Sequence, residues 1–331
     1  MSIVAGSLRL SVVVPTCRRP DLLHRCLAAL VTQNCDPASY EIVVVDDARC
    51  AQTARAVRRF ARRHAGGPVI RYRRPPAGRR GPAAARNAGW HAARGEIVAF
   101  TDDDTLPASN WLSAGLRAMR APEVAAASGD VVVPLPEVPT DWERNSAGLD
   151  GAEFVTANCF VRRAALERIG GFDERFTRPW REDSDLYFTL LESGATVVRA
   201  PAALVIHPVR PAPRGVSVRL HRNLFFDALL YKKHRRLYRA KIAAAPPLRY
   251  YVIVAALVTV LGALLGGRPD VAAAAAVVWL VLTAAFAVRR LHGTSRAWRD
   301  VVDMLVTSAA IPPLAVFWRL AGALHFRVVF A

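Results

Sequence analysis

Through residue 207 the apolar positions of this chain switch repeatedly between two periods. Short runs rich in β-branched residues stand at 10–15 (Leu-Ser-Val-Val-Val-Pro), 41–46 (Glu-Ile-Val-Val-Val-Asp), 69–73 and 97–101. Between them, apolar side chains recur every three or four positions: in 21–32, Leu23, Cys26, Leu27, Leu30 and Val31 share one helical face, and 51–63 and 82–93 read as helices too. Runs that are apolar on both faces suit parallel strands covered by helices on either side. The pattern therefore predicts an α/β domain with a Rossmann-like, mostly parallel sheet. Beyond residue 104 the rhythm loosens, with strands expected over 125–133 and 151–161 and helices over 163–169 and 183–193.

After His207 the pattern changes. Pro208, Pro211 and Pro213 form a stiff linker. Residues 216–242 then set Leu220, Leu224, Phe225, Ala228 and Leu229 among basic and polar positions. That is the pattern of a basic amphipathic helix in a membrane interface, or else of a surface helix of the globular domain. Residues 250–267 and 271–288 are two runs of eighteen without a charge. At 1.5 Å per residue each reaches about 27 Å, enough to cross a hydrocarbon core. Arg235, Arg236, Arg239, Lys241 and Arg249 flank the pair on one side and Arg289, Arg290, Arg296 and Arg299 on the other, while the connector 266–270 is nearly neutral. The positive-inside bias then predicts a hairpin with the N-terminal domain cytoplasmic, in a bacterial inner or a plasma membrane. Residues 304–318, broken by Pro312-Pro313, are expected to be interfacial or re-entrant and not a third span. Three regions result: a domain over 1–210, an interfacial linker over 211–247 and a membrane region over 248–331.

The formal charge of +18 comes from 45 Lys+Arg against 27 Asp+Glu, yet only three of the basic residues are lysines. No zinc-ligand spacing or aromatic RNA-binding motif accompanies that charge, so nucleic acid is not the expected partner. Anionic lipid headgroups are, because the basic residues crowd beside the apolar C-terminal runs. The cysteines (Cys17, Cys26, Cys35, Cys50, Cys159) are odd in number and form no CxxC pair, which suits reduced thiols. Residues 1–10 contain no signal-peptide apolar core.

Against this basic background, three consecutive carboxylates, Asp102, Asp103 and Asp104, end the run at 97–101. Carboxylates this close repel unless a cation neutralises them. Their place past the carboxyl end of a strand is where open α/β sheets hold ligands. Oxygen-only donors suit Mg2+ or Mn2+, and such an ion suits a diphosphate; a solvated acidic turn ahead of the helix near 110–119 is the alternative.

Four elements follow one another in order: Val14-Pro15-Thr16-Cys17-Arg18; Val45-Asp46-Asp47; Gly81-Pro-Ala-Ala-Ala-Arg86-Asn87-Ala-Gly89 leading to the acidic triplet; and Gly170-Gly171-Phe172-Asp173-Glu174 followed by Trp180-Arg181-Glu182-Asp183-Ser184-Asp185. Asp47 can accept the N3–H of a uracil or thymine ring while Asp46 holds the loop, although both could equally form a helix's first turn. Arg86 offers a donor fork matched to phosphate, or is an exposed helix arginine. Taken together, residues 10–207 resemble the family 2 glycosyltransferases, whose fold is the nucleotide-sugar-binding GT-A type.

The resemblance implies that Pro15, Thr16, Arg18, Asp46, Asp47, Arg86, Asn87, Asp102 and Asp103 bind the nucleotide diphosphate sugar. It also implies that Asp102 and Asp104 form the DxD pair that binds Mg2+ or Mn2+, with His207 a further metal ligand or a structural histidine. Asp183 of the Glu182-Asp183 pair would be general base toward an acceptor hydroxyl, with inversion at the sugar. The plain alternative for Glu182, Asp183 and Asp185 is an acidic first helical turn.

Two departures stand out. Position 17 is Cys where an aromatic is usual, and Ala48-Arg49-Cys50-Ala51 replaces the usual Gly-Ser-x-Asp. The Gln-x-x-Arg-Trp motif of processive polysaccharide synthases is absent. The resulting expectation is an enzyme that moves one sugar to a lipid-linked or glycan acceptor at the cytoplasmic membrane face. A polyprenyl-phosphate acceptor and a non-catalytic nucleotide-sugar-binding protein remain as alternatives.

Overall fold

The valine-rich runs at 10–16 and 40–46 lie side by side as β1 (Leu10–Thr16) and β2 (Tyr40–Asp46), parallel and in register from Leu10 opposite Tyr40 to Thr16 opposite Asp46. The computed structural model describes residues 8–330. In chain order the remaining elements of the first half are α1 (Pro20–Val31), α2 (Ala51–Arg63), β3 (Val69–Arg73), α3 (Pro82–Ala92), β4 (Ile97–Phe100), β5 (Leu106–Pro107), α4 (Trp111–Ala118), β6 (Val124–Val132), α5 (Asp141–Ser146), β7 (Cys159–Arg162), α6 (Arg163–Ile169), α7 (Glu182–Glu192) and β8 (Thr196–Ile206). The eight strands form one sheet in the order β3-β2-β1-β4-β7-β6-β8-β5. β3, β2, β1 and β4 are mutually parallel, whereas β7 is antiparallel to both its neighbours.

The period of two in the strands divides the core. Val12, Val14, Ile42 and Val44 pack on one face with Leu23, Leu27 and Leu30 of α1 and Phe60 of α2. Val13, Val43 and Val45 pack on the other with Trp90 of α3 and Leu186 and Leu190 of α7. Each such side chain, fully buried, contributes about 1.5–3 kcal/mol. α3 lies very close to the sheet: a Cβ on Gly89 would sit 2.3 Å from Val13 Cγ1. Its entry needs Gly81, whose φ of +95° is left-handed and whose Cβ would meet the Thr177 carbonyl at 2.6 Å.

The strand expected over 151–161 is confined to β7. Ahead of it the chain turns, with Asn158 N–H donating to the Val155 carbonyl. Buried Asn158 then binds three segments, donating to the carbonyls of Asp130 and Ala203 and accepting from Trp111 Nε1 at 2.7 Å. A polar side chain with that many buried partners holds a loop in place where a β-branched residue would have continued the strand.

The chain groups into two units: one of residues 1–134 and 148–208, the other of 135–147 and 209–331. The excursion of 135–147 into the second unit has no counterpart in the hydrophobic pattern. Within that unit Asp141 of α5 accepts from Arg290 Nη2 at 2.6 Å and Ser217 Oγ at 2.8 Å. The single amphipathic helix expected over 216–242 is instead α8 (Val216–Leu220), a 3-10 turn over His221–Phe226, α9 (Asp227–Lys233) and α10 (Arg235–Lys241). The break falls at His234, whose φ of −131° and ψ of 53° are not helical. Its apolar residues Leu229, Leu230 and Tyr231 are buried.

The two uncharged runs form α11 (Leu248–Leu265) and α12 (Pro269–Leu291). The region around Pro312-Pro313 is not broken: α13 (Trp298–Phe326) continues through both prolines. All three helices are long and apolar enough to cross a membrane by length and composition.

Candidate active site

The loops after β1, β2 and β4 leave the sheet at the carboxyl ends of its parallel strands, and each carries expected site residues. After β4 the chain turns tightly: Thr105 Oγ1 donates to the Asp102 carbonyl at 2.7 Å and exchanges a 2.7 Å hydrogen bond with Thr101. The chain then enters β5, which pairs antiparallel with β8, Leu106 opposite Ile206. This pairing brings His207, the residue after β8, to the acidic triplet. His207 Nε2 lies 3.5 Å from Asp104 Oδ1, and one ligand atom from each of Asp102, Asp104 and His207 lies within 4.8 Å of the other two.

The triplet's middle residue faces elsewhere. Asp103 is buried, accepting from Thr16 Oγ1 at 2.6 Å. Arg19 Nη1 lies 3.3 Å from both Asp103 Oδ1 and Asp104 Oδ2. Burial pushes the Asp103 carboxyl up to about 6, against the pull of Arg19 and of the Thr16 hydroxyl. Arg18, the expected donor contact, is exposed, with a left-handed φ of 56° that leaves Arg19 to meet the carboxylates. Nothing in the sequence distinguishes the two arginines.

Arg86 is not an exposed helix arginine. It is buried, and its Nη2 donates to Asp102 Oδ1 at 2.8 Å and its Nη1 to Glu182 Oε1 at 3.0 Å. Burial works to raise the Asp102 carboxyl, but Arg86 and His207 outweigh it and hold it below the usual range. Burial raises Glu182, with Asp183 adding to it against the pull of Arg86. Two buried atoms of this pair, Arg86 Nε and Glu182 Oε2, have no hydrogen-bond partner among the described residues.

Asn87 is also turned inward. Its Nδ2 donates to the Phe172 carbonyl and to Glu174, and its Oδ1 accepts from Phe172 N–H and Trp90 Nε1. These hydrogen bonds tie α3 to the Gly170–Glu174 turn, with Trp90 of α3 itself sharing the amide oxygen.

Asp46 is buried and accepts from the backbone N–H of Ala48 and Cys50 and from Tyr72 Oη. It holds its own loop. Asp47 is half-buried and accepts from Gly81 N–H at 2.9 Å, which ties this loop to the entry of α3. Pro15 is half-buried at the end of β1. Asp183, in the first turn of α7, is half-buried and accepts from Ser184 N–H at 2.6 Å. The turn into α7 is made by Arg181 at a φ of 72°, a strained conformation for a residue with a Cβ.

The chain matches the family described as Glycosyl transferase family 2 over residues 11–180, and the description Glycosyl transferase family group 2 over residues 97–319. It belongs to glycosyl transferase family 2 and is a glycosyltransferase. Glycosyltransferase AglE of Haloferax volcanii is 26% identical over 212 residues, which cover 61% of this chain and 67% of that protein. The pre-mycofactocin glycosyltransferase of Mycobacterium tuberculosis is 34% identical over 146 residues, covering 40% of this chain and 31% of that one. Among solved structures, the mannosyltransferase PcManGT of Pyrobaculum calidifontis, in complex with GDP-Man and Mn2+, aligns with a TM-score of 0.55 at 23% identity, over 96% of this chain and 86% of its own. The likeness extends to the fold: a GT-A-type α/β domain followed by helices.

Proposed function

We propose that this protein transfers one sugar from a nucleotide diphosphate sugar to a hydroxyl of a lipid-linked or glycan acceptor at the cytoplasmic face of a membrane, with inversion at the sugar. The observation that carries the reading is the bridge Asp102–Arg86–Glu182, which ties the candidate metal carboxylates to the turn bearing Asp183. That Mn2+ and a nucleotide sugar accompany PcManGT supports the same donor class and metal class here.

The donor set fits a divalent ion. Asp102 and Asp104 supply oxygen and His207 a nitrogen, and the side chains of Asp102 and His207 are 28% and 15% exposed, open to one side. Two carboxylates suit Mg2+ or Mn2+, and the imidazole favours Mn2+. When bound, such an ion neutralises charge on the departing diphosphate. Asp183 accepts the proton of the acceptor hydroxyl as its oxygen bonds to the anomeric carbon and the carbon–oxygen bond to the diphosphate breaks. Arg86 fixes Asp102 and Glu182 relative to each other, so the leaving-group side and the base side keep their spacing. Asp46 and Asp47 shape the base-binding loop.

The apolar hairpin of α11 and α12 supports an integral membrane location. The only charges at its turn, Arg268 and Asp270, pair at 3.0 Å, while Arg249, Arg289 and Arg290 crowd its open ends. That asymmetry supports a cytoplasmic position for the ends and for the catalytic unit.

The test is an assay of membranes with a panel of radiolabelled nucleotide sugars, with and without EDTA, followed by lipid extraction. Label should move into the lipid phase or a glycan only with metal present. Transfer undiminished in excess EDTA would overturn the metal reading, and donor binding without transfer would overturn the enzymatic one.

A further inference from the structure

α13 has the length and composition of a span, yet its two faces differ. Val302, Leu305, Val306, Phe317, Leu320 and Leu324 are exposed. Met304, Ser308, Ile311, Ala315, Arg319 and Gly322 are buried. At 100° per residue the first set is one stripe and the second the opposite stripe. On α11, Ile253 is the only fully buried residue among those described, with Tyr250, Tyr251, Val254, Leu257 and Val260 half-buried. On α12, apart from Ala272 beside the turn, the buried residues are Thr283, Phe286 and Ala287, all at the basic end of the hairpin. A third span alongside would bury positions along the whole hairpin, and here only one end is covered.

The inner face of α13 is covered by both polar and aromatic groups of residues 215–233. Gly215 N–H donates to Asp303 Oδ1 at 3.0 Å near its start. Phe225 packs on Phe326 at a ring distance of 5.0 Å, and Lys232 Nζ donates to the Phe326 carbonyl at 2.7 Å near its end. Residues 215–233 thus accompany α13 from first turn to last, and they include Arg219, Arg222, Asp227 and Lys232. A transbilayer α13 would carry these charges through hydrocarbon, where they are strongly disfavoured. A one-sided apolar stripe backed by a charged layer is the pattern of a helix lying in the interface.

We propose that α13 lies in the plane of the cytoplasmic leaflet, its 302–324 stripe in the acyl boundary and residues 215–233 on its water side. Its two ends then lie on one side of the membrane, opposite the 266–268 turn. The inference rests on the reading of α11 and α12 as a spanning hairpin, and it extends that reading to the lipid surface the third helix binds.

The experiment uses the full chain with Cys26 and Cys159 replaced by alanine and the other three cysteines by serine. Single cysteines are then placed at Gly267, Arg296 and Val329. An impermeant maleimide should reach 267 from one side of the membrane and both 296 and 329 from the other. Labelling of 329 from the same side as 267 overturns the proposal. Nitroxides at 302, 305, 320 and 324, in vesicles of phosphatidylethanolamine and phosphatidylglycerol, give the depth. From 302 to 324 a helix covers about 33 Å, so a spanning helix would pass through the bilayer centre. Similar shallow depths at all four are expected. A depth profile crossing the centre overturns the proposal, as does shielding of the stripe from both oxygen and a nickel chelate, which would mean a second copy covers it. Neither measurement depends on sugar transfer, so failure of that reading and failure of this one are separable.

Discussion

Arg86 and Glu182 stand 96 residues apart in sequence, and the guanidinium of one donates to the carboxylate of the other at 3.0 Å in the interior of the sheet unit. Because Arg86 also holds Asp102, it joins α3, the acidic triplet and α7 at a single point. Arg86→Ala would leave two carboxylates facing each other without a cation. The expected loss is about 3–5 kcal/mol of stability, as for other broken buried pairs. Arg86→Lys keeps the charge but not the fork, so it should fold and lose transfer activity. Thermal unfolding and activity, measured on both variants, check this; equal behaviour of the two would count against a positioning role.

Asp104→Asn keeps the shape beside Arg19 and His207 but removes a charged oxygen. Mn2+ affinity, read by electron paramagnetic resonance, should fall by more than about tenfold, since even outer-shell changes reach that size. Unchanged affinity would move the metal away from Asp104.

Asp183→Asn retains a hydrogen-bonding group that cannot take a proton. Turnover should fall by about 10² or more while donor affinity stays within a few-fold. Lost donor binding would place Asp183 with the metal ligands. Preserved turnover would mean an acceptor already ionised, as a polyprenyl phosphate is.

Asn158→Ala removes a side chain that serves Trp111, Asp130 and Ala203 at once. Each buried group left unpaired costs about 1–3 kcal/mol. A fall in unfolding temperature far beyond that of an ordinary surface change is expected. A shift of only a degree or two would show that water replaces the lost contacts.

The alternation of Val12, Val13 and Val14, and of Ile42, Val43 and Val44, made the two-faced sheet legible because side-chain direction in a strand follows position alone. The acidic triplet was legible because like charges in sequence must also be neighbours in space. Arg86 and Asn87 were recognisable as important but not as inward-facing: their partners Glu182, Phe172 and Glu174 lie far along the chain, and only packing of α3 beneath the 170–174 turn brings them within reach. Arg18 and Arg19 differ only in a backbone turn that no residue there announces. The break at His234 and the continuity through Pro312-Pro313 share one cause: local propensity carries nothing of the neighbours that bury Leu229, Leu230 and Ile311.

The excursion of residues 135–147 bears on how this molecule can be taken apart. Asp141 finds its ion-pair partner in Arg290, and Arg144 donates to the His292 carbonyl, both at the far end of the α11–α12 hairpin sequence. A cut in the proline-rich stretch after Pro208 would sever one covalent strand and leave these contacts in place. A fragment stopped there by design would instead carry Asp141, Arg144 and Trp142 stripped of what they bind, in the middle of its own chain. Removing residues 209–331 alone therefore leaves 135–147 without its partners. The catalytic unit's gene segment and its structural boundary do not coincide, and a soluble version needs the 135–147 loop rewritten as well as the tail removed.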